Sequence, residues 1–169
     1  MGVIIVTGSV GTGKATLAKA LSKKLNYEYV DVNKIIKKYK ISEGYDKKRK
    51  TKIIDIKKLN KYLIKEINNF KSIIKKTNNK KTNRKKPFKK NNKIIKKGII
   101  IDSHLSHHLP KKYVDLCIVT KCSLKELERR LKKRKYNKGK IRENLDAEIF
   151  DVCLNEAKEA GHKIKLVNT

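Results

Sequence analysis

The sequence predicts an α/β fold in which helices cover both faces of a five-stranded parallel sheet. Two uninterrupted apolar runs, "VIIVTG" at residues 3–8 and "GIIID" at 98–102, are typical of strands that are buried on both faces. Segments with apolar residues at helical spacing separate the predicted strands, and a glycine-rich loop joins the first strand to the first helix. Such alternation of strands and helices indicates a parallel sheet.

Five elements are predicted in the first 70 residues. The strand at 3–8 leads into a helix, and "YEYVDV" at 27–32 is a second strand, followed by a short lysine-rich helix at 34–39 and a turn at "SEGYDKK". Asp55 is expected to cap a further helix. The apolar face of the first helix consists of Leu17, Ala18, Leu21 and Leu25, and that of the last consists of Leu59, Leu63 and Ile67.

Beyond residue 113 the pattern of strands and helices continues. "VDLCIV" from Val114 is a strand, and Ser123 with Glu126 forms the S-x-x-E capping box of a helix that runs to about Arg134. One longer helix is expected next, with Gly161 as its stop, before "KIKLV" as the last strand. The inward face of that longer helix is expected to hold Ile141, Leu145, Ile149 and Val152.

The chain of 169 residues has the length of one domain, 1–169, and is strongly basic. It has 46 basic and 16 acidic residues, a formal net charge of +30. Thirteen of the basic residues and no acidic one lie in 71–97, which lacks a sustained apolar period and is predicted to be a disordered insertion. The insertion is either an arm for the phosphates of a nucleic acid or a tolerated product of a Lys- and Asn-biased genome.

Cysteine usage and hydropathy indicate the compartment. No apolar stretch has the length of a signal peptide or a membrane span. Cys117, Cys122 and Cys153 form no C-x-x-C pair and are expected to be reduced thiols. Both observations predict a cytoplasmic protein without a membrane partner.

The stretch "GSVGTGKAT" at residues 8–16 has the G-x-x-x-x-G-K spacing of a phosphate-binding P-loop. Backbone N–H groups of such a loop turn toward a triphosphate at the positive end of a helix, and Lys14 reaches the β and γ phosphates. Ala15, however, stands where a hydroxyl ordinarily holds Mg²⁺. Thr16 lies about 100° further round the helix, so a water is expected to fill that ligand position.

Asp102, at the end of an apolar strand, is predicted to hold Mg²⁺ directly or through water, with a helix or turn cap as the alternative role. His104, two residues later, is placed at the γ-phosphate. His107 and His108 extend a histidine cluster, but the sequence offers no fourth ligand at matching spacing, so a zinc site is not favoured.

The segment "TKCS" at 120–123 stands where a GTPase has its guanine-binding motif. It has Ser123 in place of the carboxylate that accepts hydrogen bonds from guanine, so guanine specificity is not expected.

Arginines lie near a segment that would form a lid. Arg129, Arg130 and Arg134 lead into "KYNKGKIREN", and a guanidinium from this segment would stabilise charge on a transferring phosphoryl group. A solvated helix face is the alternative for each of them.

Several of these segments together resemble a known family. "TGSVGTGKAT", "YEYVDV", "EGYD", "IIIDSHLSHHLP" and "LERRLKKRKYNKGKIRENLDAEIFDVCLNEA" resemble the adenylate-kinase-like P-loop ATPases of ribosome assembly, the sixth adenylate kinase isoenzyme of eukaryotes and its archaeal counterparts. The resemblance covers nearly the whole chain except the lysine-rich tract. It implies a three-layer P-loop NTPase fold of the nucleoside monophosphate (NMP) kinase type, with an NMP-binding segment at 31–54 and a LID at about 133–143.

The resemblance also implies a function. It implies broad-specificity phosphoryl transfer from ATP to NMPs, AMP among them, with Mg²⁺ and with ATPase activity. It further implies a role in late small-subunit and rRNA maturation, through transient binding of a platform ribosomal protein of the S-eleven family. By position, Asp102 and His104 would be the Walker-B pair, with His104 placing the hydrolytic water. ATP would be contacted by Gly11, Gly13, Lys14, Ala15, Thr16 and Arg134.

Three departures from the family pattern are expected to lower the kinase rate more than partner binding. Ala15 lacks the metal-binding hydroxyl, and Lys37 stands where an arginine is common in the NMP helix. The sequence also stops at Thr169, where related chains continue into a loop and helix that help to enclose adenine. A metabolic adenylate kinase is one alternative function, and a catalytically degenerate P-loop protein that only binds the ribosome or RNA is another.

Overall fold

The computed structural model describes residues 2–47, 49, 51–82 and 96–169. Two short 3₁₀ turns, Ser106–His108 and Lys111–Tyr113, lie between the fifth and sixth strands. The strands and helices, in chain order, are β1 (Gly2–Thr7), α1 (Lys14–Leu25), β2 (Tyr27–Asp31), α2 (Val32–Lys38), β3 (Gly44–Asp46), β4 (Thr51–Ile53), α3 (Ile56–Thr82), β5 (Gly98–Asp102), β6 (Leu116–Lys121), α4 (Leu124–Lys133), α5 (Lys138–Ile149), α6 (Val152–Glu159) and β7 (Ile164–Asn168).

The main sheet has five strands in the order β2-β5-β1-β6-β7, and every neighbouring pair is parallel. The predicted five-stranded parallel sheet is therefore confirmed. β3 and β4 pair separately as an antiparallel hairpin, where the sequence predicts only a turn. Among the described residues, no helix combines the length and the apolar character that crossing a membrane requires.

Alternate residues of the central strands bury themselves on opposite faces of the sheet. In β1, Val3 and Ile5 join a core with α2, α3 and α6, whereas Ile4 and Val6 join a second core with α1. The same division separates Ile99 and Ile101 from Ile100 in β5. Because successive strand residues point to opposite faces, an uninterrupted apolar run needs a helical layer on each side, which gives the three-layer arrangement.

Helix α3 begins as predicted and ends later than predicted. The Asp55 carboxylate accepts a hydrogen bond from the Lys58 N–H at 2.8 Å, and the predicted inward face of Leu59, Leu63 and Ile67 is fully buried. The helix continues to Thr82, so the prediction of disorder is wrong for 71–82. Lysine is a good helix former, and extending an existing helix requires no new nucleus. The rest of that prediction, at 83–95, lies outside the described residues.

The predicted long helix near the end of the chain is two helices. α5 and α6 are separated at Asp151, whose φ of 53° is left-handed, a conformation that aspartate tolerates better than most residues. The break leaves Ile149 and Val152 exposed rather than inward, contrary to the prediction. Gly161, with a φ of 72°, follows α6 as the predicted stop.

Candidate active site

The sheet register brings three segments to one edge. Val6 of β1 pairs with Asp102 of β5, and Asp102 pairs with Asp31 of β2. The P-loop, the turn after Asp102 and the start of α2 therefore emerge side by side at the carboxyl ends of parallel strands, where α/β proteins bind ligands.

A pocket of about 210 Å³ lies at this edge. The structure brings every residue of the predicted site to its wall, including both Ala15 and Thr16. A second, more open pocket of about 620 Å³ adjoins it and shares Gly11, Gly13, Thr16 and Arg134 with it. The lining of the first pocket is Val10, Gly11, Gly13, Lys14, Ala15, Thr16, Asn33, Asp102, Ser103, His104 and Arg134.

The P-loop adopts a backbone shape that depends on glycine. Gly8, Gly11 and Gly13 have φ values of 135°, 103° and 79°, which residues with a Cβ rarely adopt. A Cβ at Gly8 would also collide with the Thr120 carbonyl oxygen. The Thr12 hydroxyl fixes the loop from inside, because it lies 2.6 Å from the Thr120 hydroxyl and donates to the Ser9 carbonyl at 2.8 Å.

Lys14 is held inside the loop that it belongs to. Its Nζ donates to the carbonyl oxygens of Gly8 at 2.9 Å and Ser9 at 2.8 Å. Burial lowers the pKa of Lys14 to about 8, while the nearby Cys153 and Asp102 raise it. The side chain therefore remains mainly cationic at pH 7 and is positioned to meet an anion in the pocket.

Asp102 is a nearly buried carboxylate whose orientation is fixed by β2. Its Oδ2 accepts a hydrogen bond from the Tyr29 phenol at 2.8 Å. Burial raises the pKa of Asp102, and the Tyr29 bond and Lys14 oppose that shift. Burial, and then this same bond, raise the pKa of the Tyr29 phenol. No sequence pattern points to Tyr29, which looks like an ordinary strand tyrosine.

The residues at this edge fit a magnesium ion. Mg²⁺ prefers carboxylate oxygens and keeps several waters. Tyr29 uses only Oδ2 of Asp102, and within the part of the chain that the structure describes no hydrogen bond uses Oδ1. The methyl group of Ala15 offers no ligand atom, so Asp102 together with water is the fitting donor set.

His104 lines the pocket and is exposed to solvent. Desolvation by the pocket walls, followed by the positive charge of Lys14, lowers the pKa of His104. The imidazole is therefore neutral at pH 7, with one nitrogen able to accept a hydrogen bond. Of the chain's four histidines, only His104 lines this pocket.

The three predicted arginines occupy different positions. Arg134 caps α4 and lines both pockets. Arg130 pairs with Glu126 at 2.6 Å and also donates to the Gly11 carbonyl at 3.3 Å, whereas Arg129 pairs with Glu126 at 2.7 Å on the exposed surface. The Glu126 carboxylate is thus bound by arginines. The backbone half of the predicted capping motif is present, because the Ser123 hydroxyl accepts a hydrogen bond from the Glu126 N–H at 3.4 Å.

Glu148 is a buried carboxylate that the sequence did not single out. Its Oε2 accepts from the Ser9 hydroxyl at 2.6 Å, and its Oε1 accepts from the Cys122 N–H at 3.3 Å. It therefore fastens α5 to the P-loop and to the loop after β6. Asn33, at the start of α2, also lines the pocket without having been predicted.

Comparison with known families and relatives gives one consistent answer. Residues 4–151 match a family model described as an AAA domain. The "Putative adenylate kinase" of Methanocaldococcus jannaschii is 33% identical over 165 residues, 98% of this chain and 77% of that protein. The "Adenylate kinase isoenzyme 6 homolog" of Schizosaccharomyces pombe is 31% identical over 157 residues, 93% of this chain and 74% of that protein.

A solved structure agrees on the fold. Shikimate kinase from Acinetobacter baumannii, in complex with shikimate, superposes with a TM-score of 0.51 and 13% identity, covering 100% of this chain and 85% of that one. This likeness concerns the fold alone. The family match and the relatives extend over most of the chain, and the chain therefore belongs to the adenylate-kinase-like family of P-loop kinases.

Proposed function

We propose that this protein is a cytoplasmic NMP kinase that transfers the γ-phosphoryl group of ATP to AMP and other NMPs, and that it also hydrolyses ATP. The convergence of Lys14, Asp102, His104 and Arg134 on one pocket beside the P-loop glycines is the observation that supports this best. Phosphoryl transfer needs charge neutralisation and positioning more than covalent chemistry, and these residue types supply both.

Each residue has a proposed task. Lys14 leaves the carbonyls of Gly8 and Ser9 to bind the β and γ phosphates, and Arg134 meets them from the LID side. Asp102, oriented by Tyr29, holds Mg²⁺, which neutralises phosphate charge when it is bound. The neutral His104 accepts a proton from a water in hydrolysis.

The acceptor nucleotide is proposed to lie against the segment 31–54. Asn33 of this segment lines the phosphate pocket, and Lys37 is exposed on the same helix. With AMP bound, its phosphate accepts the phosphoryl group and two ADP are formed. Without AMP, water accepts it, and ADP with inorganic phosphate results.

The same proposal extends to a partner. We infer transient binding of a small-subunit ribosomal protein of the S-eleven family, with rRNA contacts through the basic surface, in late subunit maturation. The formal net charge of +30 and the resemblance to ribosome-assembly ATPases support this. Size-exclusion chromatography of the mixed proteins should give a complex whose stability changes with ATP and Mg²⁺. Separate elution under all conditions would refute the partner.

The enzymatic proposal is tested by ADP formation from Mg²⁺ and ATP, with and without AMP. The wild type should form ADP, AMP should stimulate it, and Lys14→Ala should be inactive. Hydrolysis without AMP stimulation would restrict the protein to ATPase activity. A silent wild type that Ala15→Thr activates would instead identify a degenerate P-loop protein, because the hydroxyl restores the magnesium ligand.

A further inference from the structure

A second cluster of chemically active side chains lies behind the P-loop, outside the phosphate pocket. His107, on the 3₁₀ turn after β5, is 1% exposed, and its Nδ1 lies 2.7 Å from the Thr7 hydroxyl. On its other side, Oε2 of Glu156 in α6 lies 2.7 Å from Nε2 without forming a hydrogen bond to it. His108 follows directly, and one ligand atom from each of His107, His108 and Glu156 lies within 4.8 Å of the others.

Unpartnered buried atoms concentrate at this turn. In the described part of the chain, Asn60 Oδ1 and His162 Nδ1 lack a hydrogen-bond partner, and His107 Nε2 makes no aligned hydrogen bond, with the Glu156 carboxylate 2.7 Å away. Asn60 donates to the His108 carbonyl at 2.8 Å, and His162 Nε2 lies 2.8 Å from the His107 carbonyl. All three therefore belong to residues that form or flank one turn. Since native folds rarely leave buried polar groups unpaired, this turn is the place where a ligand is expected.

We propose that His107, His108 and Glu156 bind a zinc ion. Two imidazoles and one carboxylate are a recurrent zinc ligand set that leaves a fourth position for water. Imidazole ligands favour zinc over magnesium, which prefers an all-oxygen site. A Thr7 hydroxyl that accepts from Nδ1–H would present the Nε2 lone pair of His107 to the metal.

Binding would require the three ligand atoms, which now lie within 4.8 Å of one another, to adjust to the spacing of zinc ligands. Zinc bonds of about 2.0–2.2 Å place two tetrahedral ligand atoms about 3.3 Å apart, so the Glu156 oxygen must withdraw by roughly 0.6 Å from its present 2.7 Å. The Glu156 side chain is 42% exposed and has room to move. A fourth protein ligand near the histidines in sequence is unnecessary, because the fold supplies Glu156 from 48 residues away.

The ion would join two parts of the fold. It would tie the turn that follows Asp102 and His104 to α6, while His107 contacts Thr7, the residue before the P-loop. Binding to the folded state alone stabilises it by mass action, so the melting temperature should rise with zinc.

The test uses the full, untagged chain after treatment with a chelator. Calorimetric titration with zinc should give one site, and cobalt should give the visible absorption of a tetrahedral ion. The near-ultraviolet band of a cobalt–thiolate bond should be absent. Its presence would assign the metal to the cysteines and overturn the proposal, as would the absence of stoichiometric binding.

Two variants locate the ion. Glu156→Gln and His108→Ala should each weaken zinc binding at least tenfold, because losing even an indirect partner of a zinc ligand costs about 10–100-fold. Both should also lose the zinc-dependent rise in melting temperature. The matched control is Glu159→Gln, an exposed glutamate on the same helix, which should bind zinc as the wild type does. Unchanged affinity in both ligand variants would refute the site.

Discussion

The P-loop and the β3–β4 hairpin of the proposed NMP-binding segment are held in place differently. On the P-loop side, buried contacts from distant parts of the chain fix the loop: Ser9 to Glu148 at 2.6 Å, and Thr12 to Thr120 at 2.6 Å. On the side proposed to bind the acceptor, the β3–β4 hairpin is largely exposed. Arg49 beside it reaches Glu143 of α5 through an exposed ion pair of 3.2 Å.

This difference indicates a division of labour. Buried hydrogen bonds hold donors in place before a ligand arrives, which is what charge stabilisation in a transition state requires. Exposed ion pairs contribute little to stability, so the segment they attach can move at small cost. We expect the P-loop side to hold phosphates in a fixed geometry and the acceptor side to close over the second nucleotide.

The largest expected effect comes from removing the cation on the fixed side. Lys14→Ala should lower kcat/KM for ATP by at least about 100-fold, because a preorganised donor to the developing charge is lost. A coupled assay of ADP formation measures this. Lys24→Ala, an exposed lysine on the same helix, serves as the control and should match the wild type. Normal turnover by the Lys14 variant would show that the P-loop lysine does not contribute to catalysis.

A second variant tests whether the P-loop side is held by buried contacts. Glu148→Ala leaves the Ser9 hydroxyl and the Cys122 N–H without their acceptor, so the free energy of unfolding should fall by about 1–3 kcal/mol. Urea denaturation measures the loss, and exposed Glu159→Gln should show none. Equal stability of the two variants would mean that the P-loop is not fastened through α5.

The third variant sharpens the comparison at the edge of the pocket. Tyr29→Phe removes the hydrogen bond to Asp102 and keeps the ring, so kcat should fall about two- to tenfold, the equivalent of one hydrogen bond. The Mg²⁺ concentration for half-maximal rate should change with it. Tyr27→Phe, on the same strand with its ring in the core next to α1, should leave both quantities unchanged. Identical behaviour of the two variants would show that the Tyr29 hydroxyl has no role in orienting Asp102 for catalysis.

The smallest effect is expected at the exposed hairpin. Arg49→Ala breaks the ion pair with Glu143, and the melting temperature should stay within about 1 °C of the wild-type value, because exposed pairs contribute little. Differential scanning calorimetry measures it. A drop of several degrees would show that the hairpin is firmly attached, and the contrast between the two sides would fail.

Local sequence patterns predicted the main secondary-structure elements and the P-loop, but they did not predict the polar contacts between residues far apart in the chain. The strands of the sheet, the P-loop and the Asp55 cap follow from neighbouring residues, which carry the pattern themselves. Tyr29 and Glu148 look like ordinary residues in the sequence, because the residues that they hydrogen-bond, Asp102 and Ser9, lie 73 and 139 positions away. The helix break at Asp151 was also not predicted, because the apolar periodicity continues through it. That periodicity led to the wrong prediction that Ile149 faces inward.

The central place of β1 has a consequence for how the protein is made. Its two neighbours, β5 and β6, follow about 90 and 110 residues later in the chain. At a synthesis rate of about 5–20 residues per second, β1 leaves the ribosome roughly 5–20 s before its first partner exists. During that interval its apolar edges have no partner strand within the chain, and exposed unpaired edges of this kind are aggregation-prone. The pocket itself is incomplete until the second half of the chain, which supplies Asp102, His104 and Arg134, has been synthesised.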